Sequence, residues 1–328
     1  MRLLVLGGTI FLGRHIVEAA LRAGHEVTLF HRGKHSPGLF PHAETLVGDR
    51  DGGLSALAGR KWDAVVDTCG YVPRVVRDSV QFLANIVEHY TFVSSVSVYA
   101  GFSQWRQTED APLGRLSDPA TEEVNSETYG PLKALCEQAV LEGMPRRSLI
   151  VRPGLIVGPH DPSDRFTYWA VRAADGGRIL APEPRDNPVQ LIDARDLAAW
   201  MLRMSEKCLD GIYNATGPDR PLRFDEMLSA CIRASNAEAD VAWADEPFLS
   251  GQQIEFPMWV PPSMAEWAGI DAIDSSRAIG EGLRFRPLDE TARDTVEWAR
   301  QRPLDYVWRS GPSREREVHA LASLGGGK

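Results

Sequence analysis

The stretch Gly7-Gly8-Thr9-Ile10-Phe11-Leu12-Gly13 follows the apolar run Leu3-Leu4-Val5-Leu6 directly and precedes residues with helical apolar spacing through Ala23. A strand, a glycine turn and a helix start make an anion site. Backbone N–H groups at the helix N-terminus point at the ligand, and the helix dipole favours its charge. Gly7 permits the tight turn, and Gly13 lets the helix lie close to the sheet. Ile10 occupies the place where a middle glycine is expected. A β-branched residue does not easily take a positive φ, so the loop is expected to pass Ile10 in an ordinary conformation. The backbone of Thr9, Ile10, Phe11 and Leu12 would then face a pyrophosphate.

Outward from this loop the first half of the chain alternates strands and helices. Strand patterns cover Arg2–Leu6, Glu26–Phe30, Glu44–Val47, Ala64–Asp67, Tyr90–Ser94 and Ser148–Val151. Helix patterns cover Leu12–Ala23, Val75–His89 and Pro131–Glu142. Apolar strands between amphipathic helices predict an α/β fold, a Rossmann-type doubly wound parallel sheet covered on both faces. After Arg152 the texture changes, with prolines at 153, 159, 162, 182, 184 and 188 and most of the nine tryptophans. This predicts a smaller C-terminal substrate lobe. The expected division is a dinucleotide-binding domain over 1–155 plus about 189–216, a substrate lobe over 156–188 and 217–312, and a C-terminal helix with a Gly-rich tail over 313–328.

Composition narrows the function classes. The chain of 328 residues is 43% apolar and 25% charged, with a net charge of −9. That charge argues against a broad nucleic-acid surface. No apolar run approaches a membrane span, and the immediate N-terminal strand predicts no signal peptide. Cys69, Cys136, Cys208 and Cys231 have no metal-like spacing and read as reduced thiols of a cytoplasmic protein. The eight histidines show no ligand pattern, so no metal is expected.

The second strand pattern runs into His31, Arg32 and Lys34 with no carboxylate to hold a ribose 2′-hydroxyl. A guanidinium there suits a 2′-phosphate. NADP(H) is therefore preferred, with NAD(H) also open; the alternative reading of Arg32 is a solvated surface charge. Asp49 and Arg50 follow the third strand, where Asp49 is placed to meet the adenine amino group.

Tyr129 and Lys133 lie four apart in YGPLK and share a helix face. A lysine so placed can depress the tyrosine pKa and hold a ribose hydroxyl, leaving the phenol to act as acid or base. FVSSVSVYA puts a serine at the C-terminal end of the fifth strand, the edge where open α/β sheets bind ligands.

Loop, serine and Tyr/Lys pair together resemble the extended short-chain dehydrogenase/reductase family, the NAD-dependent epimerase/dehydratase group. The likeness runs through GGTIFLG, GDR, WDAVVDTCGY, FVSSVSVYA, YGPLK, VRPGLIVGP and VQLIDARDLA. It implies catalytic Ser95, Tyr129 and Lys133, with Ser94 as the second-choice serine. It also implies cofactor contacts from Thr68, Cys69, Gly70, Pro153 and Leu155. GGTxFLG with a non-glycine centre is similar to the atypical branch that includes the chloroplast stem-loop-binding proteins. Leu155 stands where nucleotide-sugar enzymes usually carry an asparagine, and an apolar side chain does not hydrogen-bond a diphosphate.

His160, Arg165, Tyr168 and Trp169 are the expected substrate contacts, together with Ser95. Arg165 suits a carboxylate or phosphate, or else is stapled to Asp161 or Asp164. Tyr168 and Trp169 either stack on a ring or pack in a core. Pro257–Pro262 is a stiff segment that either closes the pocket or is buried in the lobe. The expected activity is NAD(P)(H)-dependent hydride transfer at a secondary alcohol or ketone of a small molecule. The alternatives are a sugar or nucleotide-sugar epimerase and a non-catalytic nucleotide- or RNA-binding protein. Dehydratase ranks lowest, since no Asp-Glu pair accompanies Tyr129. The resemblance makes a homodimer through the Tyr129–Lys133 helix the assembly to test for, which Pro131 and Leu132 leave open.

Overall fold

The computed structural model describes every residue except 37, 304 and 326–328; part of the expected Gly-rich tail therefore lies outside the described residues. One sheet organises the chain. Its strands are β1 (Arg2–Leu6), β2 (Glu26–His31), β3 (Glu44–Val47), β4 (Trp62–Asp67), β5 (Val87–Val93) and β6 (Ser148–Pro153). Two short pairs stand apart from it, β7 (Leu155–Val157) with β9 (Leu191–Asp193), and β8 (Gly177–Pro182) with β11 (Ala239–Ala244). The seventh sheet strand is β10 (Gly211–Ala215). The order is β3-β2-β1-β4-β5-β6-β10 with every neighbour parallel.

Alternation along β1 shows why both faces must be covered. Leu3 and Val5 enter one core with α1 (Leu12–Arg22), and Leu4 and Leu6 enter the other with α2 (Pro73–Leu83) and α3 (Tyr129–Gly143). All four are 0% exposed, so β1 has no solvent face and reads as a continuous apolar run. The helix α4 (Arg165–Ala174) belongs to the second lobe, while α5 (Ala194–Glu206) packs beside α1 on the sheet.

The second lobe has its own core. Trp169 and Phe166 of α4 meet Phe224 and Met227 of α6 (Phe224–Ser235) and Leu249 of α7 (Glu246–Gly251). After α8 (Ser276–Gly280), α9 (Leu288–Ala299) adds Ala292 and Val296, and α10 (Arg314–Gly325) is tied down by buried Glu317 against Arg172 at 2.7 Å.

The expected helix over Val75–His89 is two elements. The chain leaves α2 after Leu83 and is already strand at Val87. Val87 pairs with Trp62 and His89 with Ala64, and the burial alternates at Val87, Glu88 and His89. Sheet pairing thus overrides the local helical pattern.

Strand order reverses at β1, which has β2 on one side and β4 on the other. The crevice beyond the carboxyl ends of these strands is where such sheets take ligands. The cavity of about 1100 Å³ opens there, between the sheet edge and the second lobe.

Candidate active site

The glycine loop forms one wall. Gly7 holds φ +100°, whereas Ile10 is not among the residues of positive φ. The Ile10 side chain is 52% exposed and turns outward at the cavity wall, so the loop keeps its path. A methyl group on Gly13 would stand 2.8 Å from the Gly8 Cα. This close approach seats α1 directly behind the loop. No side chain caps α1, which leaves its first N–H groups to the cavity. Thr9, Phe11 and Leu12 line the same wall.

At the end of β2, His31 Nδ1 accepts the Gly33 N–H at 3.0 Å. The proton then sits on Nε2, which is buried without a partner. Arg32, Lys34 and Asp49 line the cavity beside it. Thus β2 leads into two cations and no carboxylate, and the acid beside them, Asp49, comes from the end of β3. The residues fit a dinucleotide: an open helix N-terminus for the pyrophosphate, and donors at the far end.

Arg50 departs from the expected cofactor contact. It reaches the cavity, but its guanidinium forks onto Asp67 at 2.7 and 2.9 Å and donates to Ser79 at 3.1 Å. The Tyr90 hydroxyl donates to the same carboxylate at 2.8 Å. Burial alone would raise the Asp67 carboxyl; Arg50 overrides it and holds the group below its usual range. Arg50 thus binds the ends of β3 and β4 together. Thr68 Oγ1 donates to the Leu6 carbonyl at 2.9 Å, and burial pushes the Cys69 thiol up. Thr68, Cys69, Pro153 and Leu155 line the cavity. Gly70 contributes its carbonyl from behind, as the acceptor of Lys133 Nζ at 2.6 Å.

The Ser, Tyr and Lys side chains reach one place. Ser95 follows β5, and its Oγ accepts the Ser97 N–H at 3.1 Å. Tyr129 opens α3. A methyl group on Gly130 would lie 2.0 Å from the Ser97 carbonyl oxygen, so only glycine lets α3 bring Tyr129 against this segment. Ser94 is turned away and donates to Glu137, which also takes two bonds from Arg152 at 2.9 and 2.7 Å.

Lys133 is fully enclosed. Its Nζ donates to Gly70 and Val93 carbonyls, both at 2.6 Å, and lies 4.2 Å from the Phe92 ring centroid. Burial lowers its pKa to about 8. The expectation that Lys133 depresses Tyr129 does not match this geometry. Burial raises the phenol, and the groups that oppose the rise are the Ser95 hydroxyl and the Arg165 charge. The ammonium is already engaged by two carbonyls.

Of the expected substrate contacts, Ser95 and Arg165 line the cavity and His160, Tyr168 and Trp169 do not. His160 packs against Trp298 at 5.2 Å and beside His15 and Arg14, where burial drops its pKa to about 4. Trp169 is 0% exposed, donates to the Pro257 carbonyl at 2.9 Å and packs on Phe224 and Phe256. Tyr168 is buried beside it. Both face inward because α4 directs this side into the lobe core.

Arg165 escapes its expected staples. Asp161 accepts from Ser163, and Asp164 takes Arg302 at 2.6 Å and Tyr306 at 2.8 Å. Arg165 itself donates only to Ser163 Oγ, at 3.1 Å through Nε.

Met258, Trp259 and Val260, from the stiff proline-flanked segment, close the far wall with Ile270. Polar lining residues not anticipated from the sequence include Gln190, Thr216 and Asp271. No spacing pattern marks them. Thr216 sits directly after β10, and its place at a strand's carboxyl end is the one signal that pointed to it. Among the described residues no group of three His, Cys, Asp or Glu is arranged to hold a metal, and no helix is long and apolar enough to cross a membrane.

No protein-family model matches the chain. The 41 kDa chloroplast stem-loop binding protein b of Arabidopsis thaliana is 26% identical over 283 residues, 78% of this chain and 69% of that protein. The dTDP-6-deoxy-L-talose 4-dehydrogenase (NAD(P)(+)) of Kitasatospora kifunensis is 25% identical over 317 residues, 89% of this chain and 94% of that one. Among solved structures, UDP-glucose 4-epimerase from Bifidobacterium longum, in complex with NAD+ and UDP, superposes with a TM-score of 0.65. It is 20% identical, over 93% of this chain and 100% of that chain. The chain therefore has the fold of the extended short-chain dehydrogenases/reductases, as its motifs implied.

Proposed function

We propose that this protein of extended short-chain dehydrogenase/reductase fold is a nicotinamide-dependent oxidoreductase acting on a secondary alcohol or ketone of a small molecule. The observation that carries the reading is the meeting of Ser95, Tyr129 and Lys133 with the glycine-loop cradle in one cavity. The cofactor, held by the loop, His31, Arg32 and Asp49, supplies a hydride acceptor or donor. The chain's own residues handle the proton and the geometry. Ser95 donates a hydrogen bond to the substrate oxygen, and Tyr129 exchanges a proton with that same oxygen. A phenol raised by burial is protonated at neutral pH, which suits it to act as the acid in carbonyl reduction. Lys133 fixes the Gly70 and Val93 carbonyls and so the floor on which both ligands rest.

Arg32 and Lys34 favour NADP(H) over NAD(H), since a 2′-phosphate answers both. Epimerisation uses the same residues and differs only in returning the hydride to the substrate. Dehydration has least support, because Thr128 precedes Tyr129 and Val96 follows Ser95. The name of the Arabidopsis relative favours a nucleic-acid-binding reading, which the net charge of −9 opposes.

Fluorescence titration with NADPH and NADH tests the cradle, and Tyr129→Phe tests the chemistry. That variant is expected to bind cofactor as the wild type does and to lose turnover by roughly 10²–10⁴-fold. Unchanged turnover on an identified substrate would remove Tyr129 from the proton path. Binding of neither cofactor by folded, cofactor-free protein, with salt-sensitive binding of structured RNA, would give the nucleic-acid reading precedence.

A further inference from the structure

The wall that the second lobe gives to the cavity carries polar groups that nothing in the protein answers. Arg165 is half-buried and makes no ion pair among the described residues. Asp271, 8% exposed, accepts the Gln190 backbone N–H at 3.2 Å through one oxygen, and no protein donor meets the other. Thr216 is 1% exposed, and its hydroxyl has no partner. The Trp259 indole N–H is buried and equally unanswered. All four residues line the cavity that holds Tyr129. Buried polar groups are nearly always satisfied, and leaving them bare is costly. The Thr216 hydroxyl and the Trp259 N–H are sealed off from the void itself, whereas Arg165 and the second Asp271 oxygen open onto it. A cation without an ion pair and an acceptor without a donor, side by side on one wall, describe a site completed by a polar ligand.

We propose that this end of the cavity binds a free polyhydroxylated anion, a sugar acid or sugar phosphate, with its anionic group on Arg165 and its hydroxyls on Asp271. The inference rests on the hydride-transfer reading and narrows its substrate. A guanidinium forks onto a carboxylate or phosphate, and an ionised carboxylate accepts from hydroxyls. A site built to hydrogen-bond its ligand rejects analogues that leave its groups bare, which disfavours an apolar ketone. Arg165 acts electrostatically on both Tyr129 and Asp271, so an anion seated on it lies within reach of the proton-transferring phenol and of the acid. Leu155, at the diphosphate-binding position of the nucleotide-sugar enzymes, offers no hydrogen bond and points away from a nucleotide-linked ligand.

Asp271 also brings a pH signature. Burial pushes its carboxyl up to about 7, while the Gln190 N–H and Arg165 pull it back. The other titratable or charged groups around this end are Arg165, Asp161, Tyr129 and, 6.4 Å from the Tyr129 ring, Tyr71. Only ionised Asp271 is a pure acceptor, so affinity for the hydroxylated anion should strengthen as pH rises through about 7.

Calorimetry on the protein with cofactor present tests this, using D-glucuronate, D-gluconate, D-glucose 6-phosphate, D-glucose and cyclohexanone as probes. The expected result is an anionic sugar bound at least about tenfold, or one 1.4 kcal/mol step, more tightly than D-glucose or cyclohexanone. Any of the three anions outbinding the neutral probes supports the proposal, and whether a carboxylate or the phosphate binds tightest identifies the group on Arg165. Arg165→Gln should erase the preference. Asp271→Asn should weaken binding and flatten the pH dependence, with circular dichroism unchanged. Equal or tighter binding of cyclohexanone or glucose, or no binding by any anion, would overturn it. Nicotinamide absorbance on the same samples separates the two ideas. Anion binding without hydride transfer keeps the ligand class and breaks the proposed function. Turnover of neutral ketones, indifferent to Asp271→Asn, keeps the function and breaks the ligand class.

Discussion

At the cofactor end of the cavity, the contributing side chains hang from the carboxyl edge of one sheet. Along it stand Asp49 after β3, His31 closing β2, the loop after β1, Thr68 after β4 and Ser95 after β5. At the substrate end the side chains arrive from Ser163–Arg165, Gln190, Thr216, Met258–Val260 and Ile270–Asp271, stretches far apart in sequence. The first end inherits its geometry from strand register and helix termini. The second depends on how a loop-rich lobe packs. Regular elements fix side-chain positions by period alone, whereas loops fix them only through contacts made after folding.

That contrast can be broken or sharpened by substitution. The largest effect is expected at the cofactor end, where backbone meets backbone. Gly13→Ala would press a methyl against the Gly8 Cα at 2.8 Å. Cofactor affinity should fall by about a hundredfold or more, the scale of an ångström's misplacement, in a chain that still folds. Normal titration of this variant would mean that the loop does not carry the pyrophosphate.

Next comes the buried pair that takes the Ser94 hydroxyl. Glu137 and Arg152 are each 2% exposed at their side chains and joined at 2.7 Å. Glu137→Ala strands the guanidinium and should cost about 3–5 kcal/mol in a denaturant titration. A smaller loss would show that Tyr99 and the Glu109 carbonyl, which also accept from Arg152 at 3.2 and 3.0 Å, suffice for it.

A more modest change is expected from Arg32→Ala. NADPH should weaken by about tenfold to a hundredfold, the worth of a charge-assisted hydrogen bond, and NADH little. Equal loss of both, measured by fluorescence, would place Arg32 on the shared part of the dinucleotide. The smallest effect belongs to His160→Ala, which should leave the substrate KM unchanged because His160 packs on Trp298 outside the cavity. A raised KM there would mean that the lobe closes further over its ligand than this structure shows.

Much of the cofactor end was readable because periodicity and spacing are local. An apolar run, a glycine turn and a helix locate the loop, and a spacing of four from Tyr129 to Lys133 places both on one face. Reading failed where partners are distant. Arg50 looks like a free cation next to Asp49, yet Asp67 claims it from the end of β4, three strands away across the sheet. Tyr168 and Trp169 look like ring-binding aromatics beside a loop, and the same helical period equally serves a core.

The sequence by itself determined the parallel sheet, the glycine loop at its switch point and the shared helix face of Tyr129 and Lys133, because each follows from residues close in the chain and the covalent geometry between them. Only the tertiary structure decided that α2 yields to β5 at Val87, that Lys133 spends its ammonium on two carbonyls, and that Asp271 faces the cavity with Arg165 unpaired. Those outcomes depend on which buried polar group finds a partner across the fold, and burial raises the stakes of each pairing far above any local preference.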